Sequence, residues 1–241
     1  MKLMEHVYQV GGVSLSHFFD ATAYLIEGED GLYLIDCGTP EGFEQIVRNI
    51  RTLGFDPADI RVIYGTHGHY DHVGAAAMFR EVFGCRLYLH EADKKQVEQG
   101  DAVRTTAQLL YGKDFPCCPV DKELEDGEKI SFGNGISMEV LHTPGHTPGS
   151  VCFAMDANGF SFLIAGDTLH GGFSAEIGSD EAAWKKSLDK LTERHFDAFT
   201  FGHVGANVIC DADARIAELK KQFATYYNPW FKAMKDTFRY A

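Results

Sequence analysis

The chain has 241 residues, of which 45% are hydrophobic and 24% charged, and a formal net charge of -13 at pH 7. Such a chain can bury a substantial core as an ordinary globular protein, and its negative balance disfavours nucleic acid as a partner. No apolar run approaches bilayer-spanning length, so a membrane is not an expected partner either.

The six cysteines (Cys37, Cys85, Cys117, Cys118, Cys152 and Cys210) show no framework spacing. Cys37, Cys85 and Cys152 lie in apolar or strand-like surroundings and read as buried thiols. Cys117-Cys118 lacks a second pair at ligand spacing and reads as structural. The start, Met1-Lys2-Leu3-Met4-Glu5-His6, has no apolar core of a signal peptide. A reduced, cytoplasmic protein is expected.

In chain order, Val7 to Val10 and Val13 to Phe19 read as short strands around Gly11-Gly12. Ala21 to Glu27 and Leu32 to Asp36 form a second pair, joined by the turn-rich Gly28-Glu29-Asp30-Gly31, so the sheet begins antiparallel. After Pro40, the apolar residues Phe43, Ile46, Val47, Ile50 and Leu53 fall at helical spacing, and Gly54 closes the helix. Asp56 to Asp59 turns into a strand over Arg61 to Thr66. A helix to about Phe83, a strand over Arg86 to His90 and a polar helix from Glu91 come next. Residues 101–119 lack a period-two pattern, with Ala102 to Tyr111 open to helix, and read as an insertion of the kind that carries specificity beside a cleft. Strands are expected at Ile136 to Leu141, Ser150 to Met155, Phe160 to Ala165 and Ala198 to Phe201. Helices are expected at about Asp180 to Arg194 and Asp211 to Tyr227. With no repeat, low-complexity tract or linker, the chain reads as one domain over 1–241. Its C-terminal part, about 211–241, is a helix followed by an aromatic tail (Trp230, Phe231, Phe238 and Tyr240), suited to pack on the insertion, the cleft rim or a second copy in a homodimer.

The segment Thr66-His67-Gly68-His69-Tyr70-Asp71-His72 places three imidazoles and a carboxylate in seven residues. It lies between an apolar strand and a small-residue run that begins a helix. Imidazole nitrogen and carboxylate oxygen suit a borderline divalent ion such as zinc, and no cysteine is there to close a structural shell. Unpartnered, these groups would be poorly compensated if buried. Three further segments repeat the design of a strand ending in glycine beside a metal-capable residue: Leu141-His142-Thr143-Pro144-Gly145-His146, Leu163-Ile164-Ala165-Gly166-Asp167-Thr168 and Phe199-Thr200-Phe201-Gly202-His203. Each is weak alone; together they point to one shared cleft.

The pattern His-x-His-x-Asp-His, then Gly-His, Gly-Asp-Thr and a late Gly-His, resembles the metallo-β-lactamase superfamily, from about Ala21 to His203. The resemblance implies an α/β fold, a four-layer αββα sandwich of two mixed β-sheets with the site at the edge where they meet. Position by position it assigns His67, His69 and His146 to one divalent ion and Asp71, His72 and His203 to a second, with Asp167 bridging. Asp36 corresponds to a supporting aspartate outside the ligands. Zinc is the default for this nitrogen-rich set, with iron or manganese as alternatives. Two such ions roughly 3.5–4 Å apart turn a bridging water into hydroxide near neutral pH, which attacks a carbonyl carbon. Asp71 is the candidate to pass a proton to the leaving group. Asp167 is typically absent from true β-lactamases and kept by glyoxalase II-like thioesterases and lactonases. The expected function is therefore hydrolysis of a small ester, thioester or lactone, with a phosphodiesterase, a β-lactamase-type amide hydrolase and a non-catalytic metal sensor as alternatives. His170 and the Phe18-Phe19 pair, beside His17, are candidates to face the substrate. His90 and His142 read as structural, and Tyr70 is not a ligand.

Overall fold

The computed structural model describes residues 1–203 and 208–225. Strands β1 (Lys2–Met4), β2 (Val7–Gln9), β3 (Tyr24–Gly28) and β4 (Gly31–Ile35) form the antiparallel half of a seven-stranded sheet. Three parallel strands, β5 (Ile60–Tyr64), β6 (Arg86–His90) and β7 (Lys122–Leu124), extend it in chain order. Helices α1 (Phe43–Thr52), α2 (Tyr70–Val73), α3 (Ala76–Phe83), α4 (Glu91–Gln99) and α5 (Ala107–Tyr111) lie in the connections. The second sheet contains β8 (Lys129–Gly133), β9 (Ile136–His142), β10 (Val151–Ala157), β11 (Phe160–Ile164), β12 (Ala198–Thr200) and β13 (Ile209–Cys210), in the order β13-β12-β11-β10-β9-β8. It is antiparallel except between β11 and β12, which are joined through α6 (Glu181–Thr192). Helix α7 (Ala212–Thr225) follows β13.

Strand alternation sorts the side chains into three cores. Leu25, Leu34, Ile63 and Leu87 point to one face of the first sheet, where Ile46 and Ile50 of α1 and Phe79 of α3 cover them. Their neighbours Tyr24, Ile26, Ile35 and Val62 point to the other face and meet Val140, Phe153 and Phe162 of the second sheet. Leu141, Leu163 and Phe199 face outward onto Trp184, Leu188 and Leu191 of α6 and Ile216 of α7. Helix, sheet, sheet, helix is the four-layer αββα arrangement, and both sheets are mixed. Phe153 and Phe162 are 0% exposed; removing each from water stabilises the fold by roughly 1.5–3 kcal/mol.

Helix α1 follows its apolar spacing, with Phe43, Ile46, Val47 and Ile50 buried, and Gly54 leaves the element at φ 92°. Two expectations fail. Val13 to Phe19 is not a strand but a run of turns, with the amides of Leu15 and Ser16 both donating to the Gly12 carbonyl. The Ser16 hydroxyl donates to Asp20 and accepts from the Gly12 amide, and such local bonds compete with a sheet ladder. Within Ala102 to Tyr111, helix forms only from Ala107, because Thr106 takes a left-handed φ of 64° that a helix cannot continue through. The short strands β1, β7, β8 and β13 were not anticipated; β1 and β7 have three residues and β13 has two, too few to show a period. The aromatic tail with Trp230, Phe231, Phe238 and Tyr240 lies outside the described residues.

Candidate metal centre

The strand ends decide what comes together. Tyr64 ends β5, and residues 65–69 run across the edge of the first sheet into α2, so His67, His69, Asp71 and His72 are all buried there. His146 lies on the link between β9 and β10, Asp167 just beyond β11 and Gly202-His203 beyond β12, all three at one edge of the second sheet. The edges are tied by backbone bonds: the Val151 amide donates to the Thr66 carbonyl at 2.8 Å, and the Thr22 amide to the Gly202 carbonyl at 2.8 Å.

Among the described residues, three groups of ligand-capable atoms, each within 4.8 Å of one another, result: His67, His69 and His146; His67, His72 and Asp167; and Asp71, His72 and His203. The shared His67 and His72 make them a single centre. His72 Nε2 lies 3.3 Å from Asp167 Oδ1, and His203 Nε2 lies 3.1 Å from Asp167 Oδ2 and 3.4 Å from Asp71 Oδ2. Asp167 thus faces both halves, being also 3.5 Å from His146 Nε2. The close approach has a backbone requirement: a Cβ on Gly202 would sit 2.3 Å from Asp167 Oδ1 and 2.7 Å from His72 Cε1.

Ring orientation is set from behind. Asp36, held at a left-handed φ of 55°, accepts from the Thr66 amide on Oδ1 (2.8 Å). Its Oδ2 accepts from the Thr66 hydroxyl (2.8 Å) and from His72 Nδ1 (2.7 Å). The Thr66 hydroxyl lies 3.1 Å from His67 Nδ1, and His146 Nδ1 donates to the Gly172 carbonyl at 2.6 Å. Each of these rings is left with its Nε2 turned inward. The Trp184 indole donates to the Thr168 carbonyl at 2.7 Å, steadying the turn that carries Asp167.

The electrostatics are those of a site built for cations. Burial, reinforced by the neighbouring imidazoles, pushes His67 and His69 well below the ordinary histidine range, so their lone pairs are free. Burial opposes charge on His72 as well, but Asp167, Asp36 and Asp71 outweigh it and raise that histidine. Burial would lift Asp167, yet His203 and His72 hold it well below the usual carboxylate range. Among the described residues, Nε2 of His67, His69 and His72 and Oδ1 of Asp167 have no hydrogen-bond partner although buried, and His146 Nε2 faces His69 Nδ1 at 3.0 Å. Buried polar atoms are normally paired, and a soft-to-borderline divalent cation would satisfy this donor set. The residues therefore fit the metal ions that the sequence pattern implies.

Among the remaining sequence candidates, Phe19 packs edge-on against His17 and Tyr111, with centroids 5.0 Å apart in both cases. Phe18 is 74% exposed. His170 stacks on Phe201 at 4.9 Å, and burial lowers its pKa while Asp167 opposes the shift. Tyr70 donates to Glu41 at 2.8 Å, away from the ligand cluster. His90 and His142 stack on each other at 3.8 Å, with His142 Nε2 2.9 Å from the Pro148 carbonyl oxygen. All six cysteines are free, with Cys117 exposed and Cys118 buried.

Two contributors escaped the sequence reading. Tyr111 lies against Tyr70 at 5.2 Å, and burial, followed by the Asp71 carboxylate that its hydroxyl faces, raises the phenol far above its usual range. Asp93, on the polar helix α4, is completely buried and accepts bonds from two of the site loops. One acidic residue among several on a polar helix has no signal that marks it as inward-facing.

The family model of the metallo-beta-lactamase superfamily matches residues 18–203. A probable metallo-hydrolase of Bacillus subtilis is 33% identical over 176 residues, covering 73% of this chain and 77% of its own length. Another, from Methanocaldococcus jannaschii, is 29% identical over 202 residues, covering 77% and 88%. Among solved structures, a metallo-beta-lactamase from Cronobacter sakazakii superposes with a TM-score of 0.77 at 25% identity, covering 93% of this chain and 95% of that one. A metallo-beta-lactamase from Elizabethkingia meningoseptica gives 0.75 at 27% identity, covering 93% and 90%.

Proposed function

From the premise that the chain belongs to the metallo-β-lactamase superfamily, we propose that it is a dinuclear metal-dependent hydrolase acting on the carbonyl of a small ester, thioester or lactone. One observation carries the reading: buried polar atoms of His67, His69, His72 and Asp167 lack hydrogen-bond partners among the described residues, within a single centre of seven convergent side chains. His67, His69 and His146 would hold one ion and Asp71, His72 and His203 the other, with Asp167 between them. Zinc is the first choice and iron or manganese the alternatives. Two bound ions would supply an acidified water as nucleophile and a Lewis acid for the carbonyl oxygen.

The protein's own groups do the rest. Asp36 and Thr66 hold His72 and His67 in the tautomers that leave Nε2 free. His203, whose side chain is 30% exposed, marks the open side of the centre, whereas His67, His69 and His72 close its floor. Substrate therefore approaches past His203. Asp71, 3.4 Å from His203 Nε2 and faced by Tyr111, is placed to carry a proton toward a leaving group at that opening. Tyr111, packed on Phe19 and facing Asp71, and His170, close enough to Asp167 to feel its charge, are the candidates to flank a bound substrate. The acidic net charge favours a small substrate over a polynucleotide.

A β-lactam amide is the second reading, favoured by the likeness to solved metallo-beta-lactamases; Asp167 weighs against it. The test is a turnover panel on metal-loaded protein: p-nitrophenyl esters, acyl-homoserine lactones, S-acyl thioesters, a cephalosporin and a phosphodiester. Preference for the first three supports the proposal, and turnover of the cephalosporin alone overturns it.

A further inference from the structure

Asp93 is 0% exposed and lies on α4, outside the seven candidate ligands. Its Oδ2 accepts from the Gly68 amide at 2.9 Å and from the Thr147 hydroxyl at 2.7 Å. Its Oδ1 accepts from the Gly149 amide at 2.9 Å. Gly68 stands between His67 and His69, and Thr147 directly follows His146. One carboxylate therefore grips, from behind, the two loops that carry all three histidines of one ion position. Those loops spring from different sheets, and their histidines meet at His69 Nδ1 and His146 Nε2, 3.0 Å apart, so the spacing that Asp93 sets is the spacing of these ring nitrogens. The fit is close: a Cβ on Gly149 would lie 2.6 Å from the Asp93 carboxyl carbon. Burying a carboxylate is costly unless it is fully hydrogen-bonded, and three donors make Asp93 a rigid anchor. Asp71, His72 and His203 are not among its partners.

Resting on the two-ion reading above, we propose that Asp93 is a positioning residue. It sets the spacing of His67 and His69 against His146, and so selectively tunes the affinity of that ion position over the Asp71–His72–His203 one. An asparagine at this position keeps the shape but must turn its NH2 group either toward the Gly149 amide or toward the Gly68 amide and the Thr147 hydroxyl together. In either orientation a backbone amide loses its acceptor and meets a second donor, at Gly149 or at Gly68.

The experiment is metal-binding titration of metal-free protein with zinc against a competing chelator, in two backgrounds. His203→Ala leaves the three-histidine position intact, and His146→Ala leaves the other. Asp93→Asn is expected to weaken zinc binding about 10- to 100-fold in the His203→Ala background and leave it unchanged in the His146→Ala background. Thr147→Val should weaken it in the same background by less, with Thr147→Ser restoring it; this pair decides the matter if Asp93→Asn does not fold. Equal losses in both backgrounds, or none in either, overturn the proposal while the two-ion reading stands. Failure of the unsubstituted protein to bind zinc overturns both.

Discussion

Asp36 Oδ2 accepts a hydrogen bond from His72 Nδ1 at 2.7 Å, and both side chains are out of solvent at the end of β4 and the start of α2. The carboxylate fixes the tautomer of the ring and aims its Nε2 at Asp167. Asp36→Asn is a clean probe, because asparagine also tolerates the left-handed backbone that this position adopts. The amide can accept on one side only, so the ring loses its charged partner. Metal affinity or turnover should fall about 10- to 100-fold, read by chelator competition, with little change in the circular dichroism spectrum. An undiminished affinity would mean that the pair serves the fold alone.

His69→Ala and Asp167→Ala should each remove metal and turnover together, because each deletes a ligand atom in the middle of the centre. Elemental analysis of the purified variants beside an activity assay checks this. Full activity in either variant would refute the ligand assignment.

Chelation should lower the melting temperature, since an ion bound to the native state alone stabilises it by about 2.7 kcal/mol at a hundred times its Kd. Calorimetry before and after dialysis against a chelator, then with zinc restored, reads the change. Equal transitions in all three samples would contradict binding.

His90 provides a pH prediction away from the metal centre. Burial and the stacked His142 lower it to about 4, against an ordinary 6.5. The unfolded chain therefore binds the extra proton between those values, so this histidine favours the native state above about pH 6.5 and withdraws that contribution as pH falls toward 4. His90→Asn keeps an acceptor for the Ala92 amide, which His90 Nδ1 now caps, but does not titrate. Urea midpoints across this window should depend less on pH in the variant than in the parent; parallel curves would exclude the effect.

Phe153 lies between the two sheets and is wholly buried. Phe153→Ala should cost about 3–5 kcal/mol through lost burial and the cavity left behind, measured by denaturant unfolding. A loss below about 1 kcal/mol would mean that the sheets close up over the gap.

The sequence by itself determined the elements whose side chains repeat over a long enough span. Helix α1 is visible in Phe43, Ile46, Val47 and Ile50, and β6 in its full extent, because periodic burial leaves a pattern on the chain. The four strand-end motifs likewise named the seven residues that the fold brings together, since glycine beside a ligand-capable side chain is a local requirement. Tertiary structure decided what depends on partners distant in the chain. Val13 to Phe19 alternates like a strand, yet Ser16 and Asp20 draw it into turns against Thr39. Tyr111 sits some forty positions from Asp71 and Asp93 twenty-five from Gly68, and neither carries a local mark. A side chain's direction is written in its neighbours along the chain, but the group it meets there is fixed only when two sheets close on each other.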